Sequence, residues 1–183
     1  MRLLLMLGNG FEEIEALGTL DLLRRAEIDV DTCTVNTTPT VLGAHNIVTQ
    51  AQLCVGELDS TAYDGVILPG GMGGTSALAA TEGVLDLLRE FDAAGKLICA
   101  ICAAPAVVLT AAGILRDRKV TGYPAEPLIA ALGDNYEAAE VRASDNLITA
   151  AGPGSFAAFA KAIITAAKDA DTATAVMRDA LID

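Results

Sequence analysis

Leu97-Ile98-Cys99-Ala100-Ile101-Cys102-Ala103-Ala104-Pro105 is an apolar run that turns into small helix formers at Cys102. Five consecutive residues with no polar alternation suit a strand of a parallel sheet, buried on both faces. Proline is tolerated in a first helical turn, where its missing N–H has no partner to lose, so Pro105 places a helix start just beyond the cysteine. Cys102 therefore stands on a tight strand-to-helix turn, a thiol version of the nucleophile elbow. Free amides and the positive end of a helix favour a thiolate at such a place. A buried, inert cysteine is the competing reading of the same pattern, since cysteine is among the most commonly buried residue types.

Outward from this junction, short apolar strands alternate with amphipathic helices, the pattern of βαβ units around a mostly parallel sheet. Leu3–Leu7 reads as a first strand and Glu12 to about Ala26 as a helix. Ile28–Val35 and Ile47–Leu53 read as strands, and the turn-rich Asn36-Thr37-Thr38-Pro39 between them suits a hairpin. Gly65-Val66-Ile67-Leu68 is a buried strand that runs into Pro69-Gly70-Gly71-Met72-Gly73-Gly74. Val84, Leu85, Leu87, Leu88 and Phe91 form a helical stripe that Gly95 ends. Lys119–Thr121 and Leu147–Ala150 are further strands, and a short helix is expected around Pro127–Leu132. Phe156, Phe159, Ala160, Ile163, Ile164 and Ala167 mark another helix, with Gly154 or Ser155 near its N-cap, and the alanine-rich tail is amphipathic helix.

The 183 residues suit one α/β domain spanning 1–183. Hydrophobic residues make up 52% of the chain, but no run reaches the roughly 18 residues that cross a bilayer, so no membrane association is expected. The net charge of −12, with no dense basic cluster, excludes nucleic acid as a natural partner. Met1–Leu7 has a signal-like charge and apolar run, yet it is short and meets Gly8-Asn9-Gly10 and then Glu12-Glu13, which favours a strand. Four cysteines without a dense framework fit a reducing compartment, and the cytoplasm is the expected location.

Two glycine-rich loops suggest nucleotide binding, and charge decides against both. Gly8-Asn9-Gly10 lacks the third glycine of the dinucleotide fingerprint and is followed by Glu12 and Glu13, which would repel a pyrophosphate. Gly70–Thr75 lacks the lysine of a phosphate-cradling loop, but its unobstructed amides suit an oxyanion near Cys102. Glu12, Glu13 and Glu15 crowd a first helical turn, where the dipole alone favours acids. If strand one and the Leu97–Ile101 strand both lie near the sheet centre, a glutamate after one and Cys102 after the other could meet and would have to share a proton. Cys99 and Cys102 form a C-x-x-C, but Cys99 falls inside the strand, unlike the helix-opening cysteine of thiol oxidoreductases. His45, the one histidine, lies in a turn-like segment far before the motif, so a carboxylate is the better base for Cys102.

Gly10-Phe11-Glu12-Glu13-Ile14-Glu15, Tyr63-Asp64-Gly65-Val66-Ile67-Leu68-Pro69-Gly70-Gly71, Ala100-Ile101-Cys102-Ala103-Ala104-Pro105 and Gly152-Pro153-Gly154 together resemble the DJ-1/PfpI superfamily, and within it the DJ-1/ThiJ branch. The resemblance covers essentially the whole chain. It implies a flavodoxin-like three-layer α/β sandwich, usually homodimeric, with Cys102 as nucleophile and Glu15 hydrogen-bonded to it. It also implies an oxyanion pocket from the Gly71 and Ala103 amides, with Gly70 alongside, and a protonated Glu15 beside a Cys102 thiolate. The branch often carries a histidine where this chain has Tyr123, which can donate a hydrogen bond but is a poor base at neutral pH. His45 matches a position where DJ-1 has an arginine near the partner subunit's site.

The activity so implied is conversion of a small 2-oxoaldehyde such as methylglyoxal to its 2-hydroxy acid, or attack on early glycation adducts, without cofactor, metal or glutathione. A rival reading is a peroxide sensor or redox-regulated chaperone in which Cys102 is oxidised. A thiamine-biosynthesis role, suggested by the ThiJ label, has no support in these residues.

Overall fold

A computed structural model of the protein describes residues 1–182. Its centre is a seven-stranded sheet in the order β5-β2-β1-β6-β7-β9-β8. The strands are β1 (Arg2–Leu7), β2 (Asp29–Thr34), β5 (Leu53–Cys54), β6 (Gly65–Leu68), β7 (Leu97–Ile101), β8 (Val141–Ser144) and β9 (Leu147–Ala150). All neighbours are parallel except β8, which runs antiparallel to β9.

Strand periodicity divides the apolar runs between two cores. Leu3, Leu5, Leu7, Ile67, Cys99 and Ile101 face one side of the sheet. Leu4, Met6, Val66, Leu68, Ile98 and Ala100 face the other. The first side is covered by α1 (Thr19–Arg25), α6 (Phe156–Ala167) and α7 (Ala170–Asp179), through residues such as Leu23, Phe159, Ile163 and Met177. The second is covered by α2 (Met72–Ala79), α3 (Glu82–Ala93) and the helical segment ending in α4 (Thr110–Ala112), through Leu78, Leu88, Phe91 and Leu109. A sheet buried on both faces needs uninterrupted apolar strands, which explains why β1 and β7 lack polar alternation. The three-layer α/β sandwich and its mostly parallel sheet are as expected from the sequence.

Local chemistry sets several boundaries. The α3 helix stops at Gly95, which takes the left-handed conformation (φ 66°) that glycine adopts at no steric cost. Asp92, in the last turn of α3 and buried, bonds Arg116 at 2.7 Å and Arg118 at 2.8 Å. Arg118, itself buried, also donates to Asn146 Oδ1 at 2.7 Å, tying α3 to the turn between β8 and β9. The α5 helix (Glu126–Leu132) carries a proline in its first turn.

Three expectations need correction. The hairpin is not turned at Asn36–Pro39; it pairs β3 (Thr40–Leu42) with β4 (Val48–Gln50) across a turn at 43–47. The expected Ile47–Leu53 strand is split, because Ala51 is buried and Gln52 is held to Thr32 through both its backbone N–H and its side chain. Lys119–Thr121 makes a single bridge, Val120 to Tyr136, since the Thr121 N–H is taken by the Thr149 hydroxyl. The β8 strand, half-exposed at the sheet edge, was not anticipated.

Candidate active site

The strand order places the site. From β1 the chain passes outward to β2 on one side, and β6 and β7 follow on the other, so the crevice between β1 and β6 is where loops at the carboxyl ends diverge. Glu15 follows β1 and Cys102 follows β7. These strands are not neighbours, because β6 lies between them.

Cys102 adopts φ 65°, a left-handed conformation that a side chain disfavours. Two backbone bonds hold it there: its N–H donates to Ala150 O at 2.9 Å and its carbonyl accepts from Tyr123 N at 2.8 Å. The segment Pro105–Leu109 then starts the helix, as a π-helical turn. Glu15 sits in a second π-helical turn, Ile14–Gly18, which precedes α1, and it is fully buried. Widened turns of this kind recur at functional sites.

Between the two stands Gly70, two residues past the end of β6. Its N–H donates to Glu15 Oε2 at 2.7 Å. A Cβ on Gly70 would lie 2.5 Å from Glu15 Oε2 and 2.5 Å from Cys102 Cβ, so no side chain fits. The other carboxyl oxygen, Oε1, is buried without a well-aligned donor, and the Cys102 thiol is the proton-bearing group beside the carboxyl. The amides of Ala103 and Gly71 face the Cys102 sulfur, and Gly71 reaches this position with φ 85°.

Burial pushes Glu15 up to about 7, against the opposing pull of the Cys102 and Gly70 hydrogen bonds. Burial and the adjacent Glu15 charge push Cys102 up to about 12, while the Ala103 and Gly71 amides pull it down. This differs from the expectation that the helix start would dominate, because the thiol lies too deep for amide donors alone to outweigh desolvation. Through the neutral range the pair therefore carries at most one negative charge, which rests mainly on Glu15. Protonation of Glu15 removes the charge that opposes a thiolate and leaves both amides in place to favour it.

The other residues singled out from the sequence lie around this pair. Tyr123 contacts it through its backbone; its ring packs against Gly152 and is 45% exposed. The His45 side chain is exposed and points to Glu13, with Nδ1 2.8 Å from Oε2 and 3.6 Å from Glu12 Oε1. Cys99 is fully buried, its pKa is raised by that burial, and it is a free thiol like Cys102. Among the described residues the one cluster with three possible metal ligands is Glu12, Glu13 and His45, in which His45 is already bonded to Glu13. Sequence separation hid it, since His45 lies 32 residues from Glu13. Clefts of about 620 Å³ and 690 Å³ lie elsewhere, one beside Arg2, Arg24 and Asp31 and one beside Phe156 and Met177.

Sheet, elbow and buried carboxyl define an α/β protein of flavodoxin-like architecture with a cysteine at the carboxyl ends of its strands. The chain belongs to the DJ-1/PfpI family, whose model matches residues 1–166. Among curated relatives it is 36% identical to protein dj-1beta of Drosophila melanogaster over 160 residues, 86% of this chain and 84% of that one. It is 34% identical to the glutathione-independent glyoxalase DJR-1.2 of Caenorhabditis elegans, over 84% of this chain and 81% of that one. The chain spans only 37% and 41% of two longer Arabidopsis thaliana relatives, DJ-1 homologs B and A. Among solved structures, oxidized DJ-1 of Toxoplasma gondii superposes with a TM-score of 0.95 at 30% identity, covering 99% of this chain and 98% of that one.

Proposed function

We propose that the protein is a glutathione-independent glyoxalase that converts methylglyoxal or a related 2-oxoaldehyde to the 2-hydroxy acid. The observation that carries this reading is the close approach of Cys102 to the buried Glu15 carboxyl across Gly70, faced by the Gly71 and Ala103 amides. The activity printed for the Caenorhabditis elegans relative supports it.

In the reactive state Glu15 holds the proton and Cys102 is the thiolate. The sulfur attacks the aldehyde carbon, and the oxyanion forms against the Gly71 and Ala103 amides. Glu15 gives its proton to that oxygen, completing a hemithioacetal. As carboxylate it then removes the C1 proton to give an enediolate and returns that proton to C2, while the hydroxyl proton on the C1 oxygen passes to the C2 oxygen, so that C1 becomes the thioester carbonyl and C2 bears the hydroxyl. C1 is oxidised and C2 reduced within one molecule, so no external electron acceptor enters. Water hydrolyses the thioester, releasing the acid and the Cys102 thiol. The same attack suits early glycation adducts on proteins, a deglycase activity.

A homodimer fits the exposed apolar residues Ile14, Leu42, Ile47 and Val48 beside the site, and the sedimentation mass tests it. Four free thiols fit a reducing location such as the cytoplasm, and no helix among the described residues is long and apolar enough to cross a membrane.

The deciding experiment is lactate formation from methylglyoxal by reduced, chelator-treated protein without glutathione, alongside Cys102→Ser and Glu15→Gln. Repeated turnover that both variants lose supports the reading. A folded, reduced wild type with no turnover sinks it and favours the second reading, oxidation sensing or redox-regulated chaperone action at Cys102. The oxidized state named for the Toxoplasma gondii structure, together with the partial exposure of Cys102, motivates that alternative.

A further inference from the structure

Glu13 is a buried carboxylate that the mechanism above does not use; it is 6% exposed. Its Oε1 accepts from the backbone N–H of His45 at 2.7 Å and of Ile47 at 3.4 Å, and its Oε2 lies 2.8 Å from His45 Nδ1. Gly43 packs directly on the carboxyl, leaving no room for a side chain. The carboxylate thus fills the tip of the β3–β4 hairpin and engages its otherwise unpaired amides. Burial works against its charge, but the His45 bonds outweigh burial and keep the group ionised below the ordinary carboxylate range.

The hairpin so held grips the loop 8–13. Ala44 N donates to Phe11 O at 2.8 Å, Gly10 N donates to Leu42 O at 2.7 Å, and Leu42 N donates to the Asn9 side chain at 3.0 Å. The opposite side of that loop abuts the catalytic glycines. Glu12 N donates to Gly70 O at 3.0 Å, and Gly71 packs on Gly10 and Glu12 so closely that a Cβ there would overlap them. Gly70 N in turn donates to Glu15 Oε2, leaving Oε1 buried without a hydrogen-bond partner, while Gly71 N faces the Cys102 sulfur. A continuous set of hydrogen bonds and close packing therefore links Glu13 to the amides that orient the reacting pair.

We propose that Glu13 is a positioning residue for the Cys102–Glu15 pair, acting through the docked β3–β4 hairpin and the Glu12–Gly70 contact. The proposal rests on the reading of that pair as nucleophile and proton carrier. Removing the carboxylate leaves the His45 and Ile47 amides without their acceptor and frees the loop against which Gly70 and Gly71 are set. The ionisable groups facing the pair are few: Glu12 beside Glu15, then Glu13 and His45 one step outward.

The test is the rate of Cys102 alkylation by iodoacetamide between pH 5 and 9, in the wild type, Glu13→Ala, Glu13→Gln and Glu13→Asp, with folding followed by circular dichroism. Glu13→Ala is expected to slow alkylation at pH 7 by about tenfold, the scale of one weakened charge-assisted hydrogen bond, and to move the midpoint to higher pH. Glu13→Gln retains an acceptor for both amides and is expected to recover most of the rate. Glu13→Asp keeps the charge but withdraws it by one methylene, and is expected to shift the midpoint in the same direction as alanine. A folded Glu13→Ala with the wild-type rate and midpoint overturns the proposal; should that variant not fold, a wild-type profile for Glu13→Asp overturns it. The readout is alkylation, so it stays decisive even if methylglyoxal is not turned over, an outcome that would instead remove the glyoxalase reading.

Discussion

Gly70 and Cys102 approach so closely that a methyl group on the glycine would lie 2.5 Å from the Cys102 Cβ and 3.0 Å from its sulfur. The β6 strand lies between the strands that Glu15 and Cys102 follow, and a side chain at Gly70, two residues past its end, would hold the two groups apart. Gly70 makes their contact possible, and it also gives Glu15 its one backbone donor.

Gly70→Ala should therefore fold less stably and react poorly. Overpacking of this kind costs about 1–3 kcal/mol, measurable by urea unfolding. Displacing the reacting groups by about an ångström should lower turnover on the order of 100-fold. A Gly70→Ala protein with wild-type turnover would show that the glycine is not needed as a spacer.

The proton on Glu15 makes stability depend on pH. Its folded value of about 7 exceeds the ordinary carboxyl value of 4.5, so the folded state binds the proton more tightly than the unfolded chain. The resulting stabilisation is fully present below about pH 4.5 and is lost as pH rises through about 7. Glu15→Gln, neutral throughout, should lack this slope: its Tm should approach that of the wild type near pH 4.5 and exceed it at pH 8. The difference should be on the order of 3 kcal/mol if no other group relaxes. Parallel Tm curves for the two proteins from pH 4.5 to 8 would contradict a raised Glu15.

Thiol accessibility should divide the four cysteines. Cys33 and Cys99 are fully buried, whereas Cys54 and Cys102 are partly exposed. Native protein treated with a bulky maleimide should be modified at Cys54 and Cys102 alone, and at all four positions in denaturant, as read by peptide mass spectrometry. Cys99→Ala should keep turnover within about twofold, because Cys99 faces the core rather than the pocket. Recovery of a Cys99–Cys102 disulfide after mild oxidation would refute this separation.

Asp92 supports the fold away from the site. Asp92→Ala would leave the buried Arg118 without its carboxylate, a loss that costs about 3–5 kcal/mol. Chemical denaturation should show it. A change below about 1 kcal/mol would mean that Asn146 and the backbone carbonyls alone satisfy the guanidinium.

Continuous apolar runs made β1, β6, β7 and β9 readable in the sequence, and the stripe Val84–Phe91 did the same for α3. The edge strand β8 escaped because Val141–Ser144 is short, half-exposed and polar at alternate positions. The expected Ile47–Leu53 strand reads as one because nothing local interrupts it, and only tertiary bonds from Gln52 to Thr32 divide it into β4 and β5. At the site, the Cys102 turn was visible in Ala103-Ala104-Pro105, but three closely spaced glutamates looked alike. Their separation is a matter of depth and partners: the π-helical turn buries Glu15 against Gly70, while the distant hairpin claims Glu13. Gly70 is expected from the sequence as an amide donor in an oxyanion pocket, whereas its N–H is taken by Glu15 Oε2. Its second duty as a spacer depends on strand order, which no local pattern records.

The interposition of β6 also sets when the site comes into being during folding. Glu15, Gly70 and Cys102 follow three parallel strands widely separated in the chain, and such non-local pairings form slowly. A chain that has collapsed but not yet aligned β1, β6 and β7 has a cysteine without its proton partner or its two facing amides. Reactivity at Cys102 is thus a late product of assembly, and its recovery after dilution from denaturant would time the closing of the central sheet.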